Sequence, residues 1–322
     1  MRAMRKKVWL MIAASLVLIG CLIFVGVMTM LNWDFKKLST EKYETNEYTF
    51  ESGCQNISIK ADTAKIEIFP ADGDVTSVVC YEQSKLKHSV SVVDGTLFIE
   101  FKDTRKWYEM IGVSFSSPQI TVALPRAEYG ALSIQSHTGK VEIAKDLVFE
   151  SISVSQSTGD VFNYASAKGG MTIKTTTGDI LVKDVNAGSL ELSVTTGTVI
   201  ASGIACEGEG HVTVTTGRTF LTDVKCRAFT TSGDTGSIEL KNVVVDALLS
   251  VERSTGDVKF VGCDAAELYV KTSTGGIWGT LLSAKDFVTK TDTGKVRVPT
   301  AAAGGKCEII TSTGDIQIEI VE

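Results

Sequence analysis

The chain has 322 residues, 43% of them apolar and only 7% aromatic, with 29 Gly, 4 Pro and a net charge of −6. This composition excludes a collagen, a disordered tail and a cysteine-stapled miniprotein, and the length suits one large domain or two ordinary ones. Residues 1–37 hold six Lys or Arg and one acid, so the remainder carries 26 basic against 37 acidic groups, a net of −11 that argues against nucleic acid as a partner.

The N-terminal tail, residues 1–7, carries Arg2, Arg5, Lys6 and Lys7, and an uncharged run of 24 residues, Val8 to Leu31, follows. At ~1.5 Å per residue this run makes ~36 Å of helix, enough to cross a ~30 Å hydrocarbon core with some tilt. A single transmembrane helix is therefore expected over 8–31, with the basic tail cytoplasmic and everything after Leu31 extracytoplasmic. A cleaved signal peptide has a shorter apolar core and a small-residue cleavage site, which this run lacks. Leu18-Ile19-Gly20-Cys21 resembles a bacterial lipobox, the alternative in which Cys21 becomes a lipidated N-terminus. Apolar residues continuing past Cys21 run against lipidation, and both readings tether the body to a lipid bilayer.

Residues 32–45 read as a polar spacer containing Lys36, Lys37, Glu41, Lys42 and Glu44. Over 46–130 the pattern is that of irregular coils forming a cap. Ile57, Ile59, Ile66 and Ile68 bracket Ala64; Val90, Val92, Leu97 and Ile99 bracket Gly95; Ile120, Val122 and Leu124 supply a strand ending at Pro125. Between them Lys106 to Phe115 forms an aromatic-rich insertion. Its Trp107-Tyr108 pair is a candidate contact for glycan or protein, or else a lid over the open end of the core.

From 131 to 322 a Thr-Gly pair recurs ten times: Thr138-Gly139, Thr158-Gly159, Thr177-Gly178, Thr196-Gly197, Thr216-Gly217, Thr235-Gly236, Thr255-Gly256, Thr274-Gly275, Thr293-Gly294 and Thr313-Gly314. Successive glycines are 19 or 20 residues apart throughout. Apolar residues alternate around each corner as on a half-buried strand. Leu190 and Leu192 stand seven and five residues before Gly197, and Ile180 and Val182 two and four after Gly178. A further inward site, seven after the glycine, holds Val185, Ile204, Val224, Val243, Leu282 and Val321.

One such unit cannot bury its apolar side alone, but stacked units give each a neighbour and a continuous core. The expected fold is an all-β, single-stranded parallel β-solenoid of ten coils, wound right-handed by the general preference of parallel crossovers. At ~4.8 Å per coil it forms a rod of ~45 Å. The glycines suit corners with positive φ, and the threonine hydroxyls are placed to meet backbone groups freed there. Cys206 and Cys226, each nine residues after a corner glycine, fall side by side in adjacent coils. Their Cα spacing of ~5 Å is compatible with a disulfide, yet in-register parallel neighbours hold Cβ atoms wider than a relaxed bridge prefers. Neighbouring reduced thiols are expected, with the bridge as the alternative.

Chemistry-bearing residues are sparse. The residue after each corner glycine varies, and only Asp160 and Asp179 are expected as carboxylate neighbours, able to share a cation or proton or simply suited to a solvated turn. The outward threonines are interrupted by charges such as Lys174, Asp234 and Glu252, which rules out a flat ice-binding array. The three histidines, His88, His137 and His211, imply no close pair. Neither a metalloprotease helix motif, a phosphate loop nor a nucleophile elbow occurs, so no metal, cofactor or catalytic residue is assigned.

The N-terminal anchor, followed by units such as Ile173-Lys-Thr-Thr-Thr-Gly-Asp-Ile180 and Ile309-Ile-Thr-Ser-Thr-Gly-Asp-Ile316, resembles the bacterial putative-adhesin domain family, which includes LiaG-like cell-envelope proteins of Gram-positive bacteria. The resemblance covers roughly residues 45–322 and rests on corner and core positions. It implies an adhesin-like role and a link to envelope stress, with no binding residue carried over. The expected function is a single-pass, membrane-anchored extracytoplasmic interaction or sensory module that meets envelope protein or glycan. The alternative is an envelope polysaccharide-active enzyme on a β-helix scaffold.

Overall fold

The computed structural model describes residues 2–34, 42–51, 53–103, 117–300 and 304–321. Helix α1 runs from Arg2 to Met30, and its stretch Val8–Met30 has the length and apolarity to cross a membrane. Apart from buried Met28, the apolar side chains of that stretch lie open, Trp9 at 71% and Leu10 at 69% exposure. The rest of the described chain is almost entirely strand, wound into a β-solenoid of about nine turns.

The ten corner glycines stack in one column. Gly139 N–H donates to the Thr158 carbonyl, Gly159 to Thr177, Gly178 to Thr196 and Gly197 to Thr216, and the pattern continues along the rod. Nine of the ten have φ between 122° and 151°, from Gly236 to Gly314. A second constraint adds to the dihedral one: a Cβ at Gly197 would collide with the Gly178 carbonyl of the preceding coil, and the same holds at each stacked corner. Glycine is thus required by conformation and by close backbone approach together.

The corner threonines behave differently from expectation. Their side chains are exposed, and their contribution to the ladder is the backbone carbonyl. The hydroxyls that meet the corner come from three residues before the glycine, where the side chain points inward. Thr175 donates to the Gly159 carbonyl at 3.3 Å, Thr272 to Gly256 at 3.2 Å and Thr311 to Gly275 at 3.0 Å. Gln156 serves Gly139 in the same way through its amide. The alternation of a strand places this third inward site two residues beyond the aliphatic pair.

A second corner lies six residues after the glycine. Asp184, Gly203, Asp223, Asn242 and Gly262 occupy it in consecutive coils with φ between 52° and 63°. These residue types tolerate the left-handed conformation best. A third bend appears as register shifts between Ala187 and Leu190, Cys206 and Glu209, and Cys226 and Phe229. The inward aliphatic residues of all coils join one continuous core. Leu282 and Val321 are exceptions to the expected inward site, being 49% and 46% exposed; in the Gly275 coil Leu281 takes the buried place instead, opposite Cys263.

Coil order departs from chain order at both ends. Leu268 to Thr274 pairs with Cys307 to Thr313, and that strand pairs in turn with Phe287 to Thr293. The chain's last coil, with corner Gly314, therefore lies between the Gly275 and Gly294 coils, and the Gly294 coil is outermost. At the other end, seven strands precede the regular coils: β1 (Tyr43–Phe50), β2 (Asn56–Thr63), β3 (Lys65–Pro70), β4 (Thr76–Gln83), β5 (Leu86–Val93), β6 (Thr96–Asp103) and β7 (Gln119–Leu124). The β2–β3 coil turns at Ala64 as expected and stacks on the Gly139 coil, while β6 and β7 cover its other side in parallel register. β5 and β6 form an antiparallel hairpin through Asp94 and Gly95, so this pair is not the coil its alternation resembles. β4 lies antiparallel between β1 and β7 and closes the end.

Candidate functional site

Asp160 and Asp179 are neighbours, and each carboxylate is already engaged. Asp160 Oδ1 accepts the Asp179 backbone N–H at 2.9 Å, and Asp179 Oδ1 accepts that of Thr198 at 2.7 Å. Asp257 does the same for Gly276, and Asp315 for Lys295, both at 2.8 Å. The aspartates are therefore coil-to-coil caps on the N–H that follows each corner. Trp107 and Tyr108 lie outside the described residues.

Of the grooves on the rod, two run to more than 600 Å³ among the described residues. One of about 660 Å³ lies near the N-terminal end, lined by Lys60, Asp62, Glu100, His137 and Ser157 among others. Its polar groups meet across coils, Lys60 paired with Glu100 at 3.0 Å and His137 Nδ1 lying 3.4 Å from Asp62 Oδ1. The other, of about 680 Å³, is lined by Lys168, Asn186, Cys206, Glu207, Lys225, Cys226 and Asp246.

Cys206 and Cys226 are register partners at its floor, both buried and both free thiols. A hydrogen bond from the Cys226 thiol draws the Cys206 pKa down to about 7 against the opposing effect of burial. The same bond, then burial, pushes Cys226 up. While protonated, Cys206 Sγ also donates to the carbonyls of Gly188 at 3.7 Å and Glu209 at 3.6 Å.

The densest cluster of chemistry sits in the N-terminal cap. Cys80 and Glu82 are two apart on β4 and face the same way, towards His88 on β5. One donor atom from each lies within 4.8 Å of the others, and all three residues are buried. Glu82 Oε2 accepts from the His88 backbone N–H at 2.6 Å and contacts His88 Nδ1 at 2.7 Å, while Glu82 Oε1 accepts from Asn46 on β1 at 2.7 Å. Burial, then the Glu82 charge, pushes the Cys80 thiol up to about 12. The Tyr48 hydroxyl is also raised, by burial first and then by Cys80 and Glu82. Among the described residues this is the one grouping able to hold a metal ion. The repeat gave no hint of it, because it lies where periodicity fails. The available signal was Cys-x-Glu on one strand face with a histidine across the next turn.

The Toastrack DUF4097 family profile matches residues 54–234 and 204–322, which together span the solenoid and its cap. The chain belongs to the Toastrack DUF4097 family. Curated proteins provide no match. Among solved structures, a "putative adhesin" from Parabacteroides distasonis aligns at 12% identity over 86% of this chain and 98% of its own, with a TM-score of 0.46. A "putative lipid binding protein" from the same species aligns at 14% identity over 87% and 98%, with a TM-score of 0.45. A "putative adhesin" from Parabacteroides merdae aligns at 12% identity over 74% and 97%, also at 0.45. Likeness at these TM-scores carries no argument about activity. What the Toastrack membership adds to the geometry is the fold.

Proposed function

We propose that the protein is a single-pass, membrane-anchored interaction module, with its basic tail cytoplasmic and its solenoid presented outside the membrane to envelope protein or glycan. The observation that carries this reading is the apolar surface of Val8–Met30, open along the helix except at Met28, joined to a rod whose core is complete without it. Exposed apolar side chains on this scale are stable only in a lipid surround. The basic residues Arg2, Arg5, Lys6 and Lys7 support the orientation. The polysaccharide-enzyme reading is weaker, because Asp160 and Asp179 commit an oxygen each to neighbouring backbone.

Placing a cysteine at exposed Ser157, beside the N-terminal groove, tests the topology in intact producing cells. A membrane-impermeant maleimide is expected to label it without lysis, above the signal of the native chain labelled in parallel, which sets the contribution of the native cysteines. Labelling only after lysis overturns the orientation. A photo-crosslinker at the same position is expected to capture an envelope protein or glycan, and turnover of cell-wall polysaccharide by the purified full chain would favour the enzyme.

A further inference from the structure

We infer that Cys80, Glu82 and His88 form a zinc-class metal site that clamps the N-terminal cap of the solenoid. The donors come from rigid strands and already converge, one atom of each within 4.8 Å of the others. A tetrahedral shell with bonds of ~2.0–2.3 Å sets donors ~3–4 Å apart, so small side-chain rotations close the cluster around an ion.

Three features favour a metal over a plain Glu–His ion pair. First, His88 is 95% buried yet its Nε2 has no hydrogen-bond partner. Its Nδ1 faces Glu82 Oε2 at 2.7 Å, so one ring nitrogen is engaged and the other is left with nothing in the protein to meet it. Second, a thiol stands beside the pair, and the combination of S, N and O donors suits zinc and excludes calcium or magnesium, which take oxygen ligands. Third, charge balances: a divalent ion with one thiolate and one carboxylate is neutral, which suits a site where Glu82 has no exposed surface at all. Binding releases the Cys80 thiol proton to solvent.

The site also has an outer layer. Asn46 and the His88 backbone N–H hold the Glu82 carboxylate in place from two sides, the kind of support that orients metal ligands. Asn46 is the register partner of Cys80 across β1 and β4. An ion would therefore tie β4 to the β5–β6 hairpin at the end where the chain leaves the α1 segment and enters the rod. Three protein donors leave the fourth tetrahedral position to water.

The test uses the full chain in detergent, stripped by chelation, reduced with a phosphine, and titrated with Co²⁺. One equivalent is expected to bind with a thiolate-to-cobalt absorption band that Zn²⁺ abolishes by displacement. Cys80→Ser should remove the band, and Glu82→Gln and His88→Gln should each weaken binding at least ~10-fold. The Cys206→Ser/Cys226→Ser double variant should keep the band. Absence of a saturable band in the native sequence overturns the proposal, as does its loss only in the Cys206/Cys226 variant. X-ray absorption on the zinc-loaded native chain needs no variant to fold: one sulfur with nitrogen or oxygen neighbours supports the site, and none or two sulfurs refutes it.

Discussion

Replacing Gly197 with alanine tests why the corner is glycine. Gly197 has φ of 148°, and an added Cβ there meets the carbonyl of Gly178 in the coil below, while the Gly197 N–H holds the Thr216 carbonyl of the coil above at 3.0 Å. The substituted residue can neither keep its dihedral without strain nor shift without pulling on a ladder bond. Strain at such a dihedral costs ~1–3 kcal/mol, and overpacking against backbone adds ~1–3 kcal/mol. Alanine's lower unfolded-state entropy returns ~0.4–1 kcal/mol, leaving a net loss of about 3 kcal/mol. That corresponds to a Tm lower by ~6–12 °C for a body of this size. Gly73→Ala is the control, since a Cβ at Gly73 meets nothing within 4 Å and its φ is not positive. The measurement is thermal unfolding of both full-length variants by circular dichroism. Equal Tm values for the two variants would refute the account of the corner.

The remaining predictions address the aspartate caps, the thiol pair and the coil order. Asp179→Ala should destabilise by about 1 kcal/mol, matched by Asp257→Ala, because each loses one cap to the next coil; unfolding curves that coincide with the native one refute the capping role. Cys206, with its pKa drawn down to about 7, becomes thiolate as pH rises through neutrality, so its alkylation by iodoacetamide should rise ~10-fold from pH 6 to pH 8 and then level off. Cys307, pushed up to about 12 by burial, should stay unmodified over that range, and a Cys206 rate still climbing at pH 9 refutes the thiol–thiol hydrogen bond. Deleting residues 305–322 removes the coil beneath 285–298, so limited proteolysis should cut within 282–300; a protected 285–298 segment would mean that coils follow chain order.

Much of the architecture was legible because one column repeats without exception. The Thr-Gly corners fix the phase of every coil, and the aliphatic residues on either side then fall inward by alternation. The second corner was hidden because Asp184, Gly203 and Asn242 all satisfy a left-handed φ, so no single residue type marks it. Asp94-Gly95 did carry the signature of a two-residue hairpin, with both φ positive, and this signal outweighs the alternation of Val90, Val92, Leu97 and Ile99. The column after the corner glycine reads as chemically mixed, with aspartate suited to a solvated turn, yet the neighbouring backbone shows why four aspartates recur in it. Their carboxylates reach a donor that exists only once the next coil is stacked, which no local pattern reveals. The Cys80–Glu82–His88 cluster likewise needs the β4–β5 geometry before its three donors become one site.

Equal periods determine the phase of each coil but not its place in the stack, since any order keeps every corner in the column. What selects the order is the cost of an outermost position, where one side of a coil's inward residues has no neighbour. The Gly294 coil offers Phe287, Thr289 and Thr291 before its corner and Val296 and Val298 after it, whereas the Gly314 coil offers Cys307, Ile309 and Thr311, followed by the larger Ile316 and Ile318. Burying the more apolar coil on both sides removes Ile309, Ile316 and Ile318 almost completely from water, while Thr289 tolerates partial exposure at the end. The N-terminal end follows the same rule. The all-aliphatic β2–β3 coil, with Ile57, Ile59, Ile66 and Ile68, is interior, and β6, β7 and the antiparallel β4 are laid over it. A parallel stack exposes unpaired N–H and C=O groups at each end, which template aggregation unless covered. In this chain the N-terminal end is covered by antiparallel strands, and at the C-terminal end the outermost place goes to the Gly294 coil, which carries Thr289 where the Gly314 coil carries Ile309.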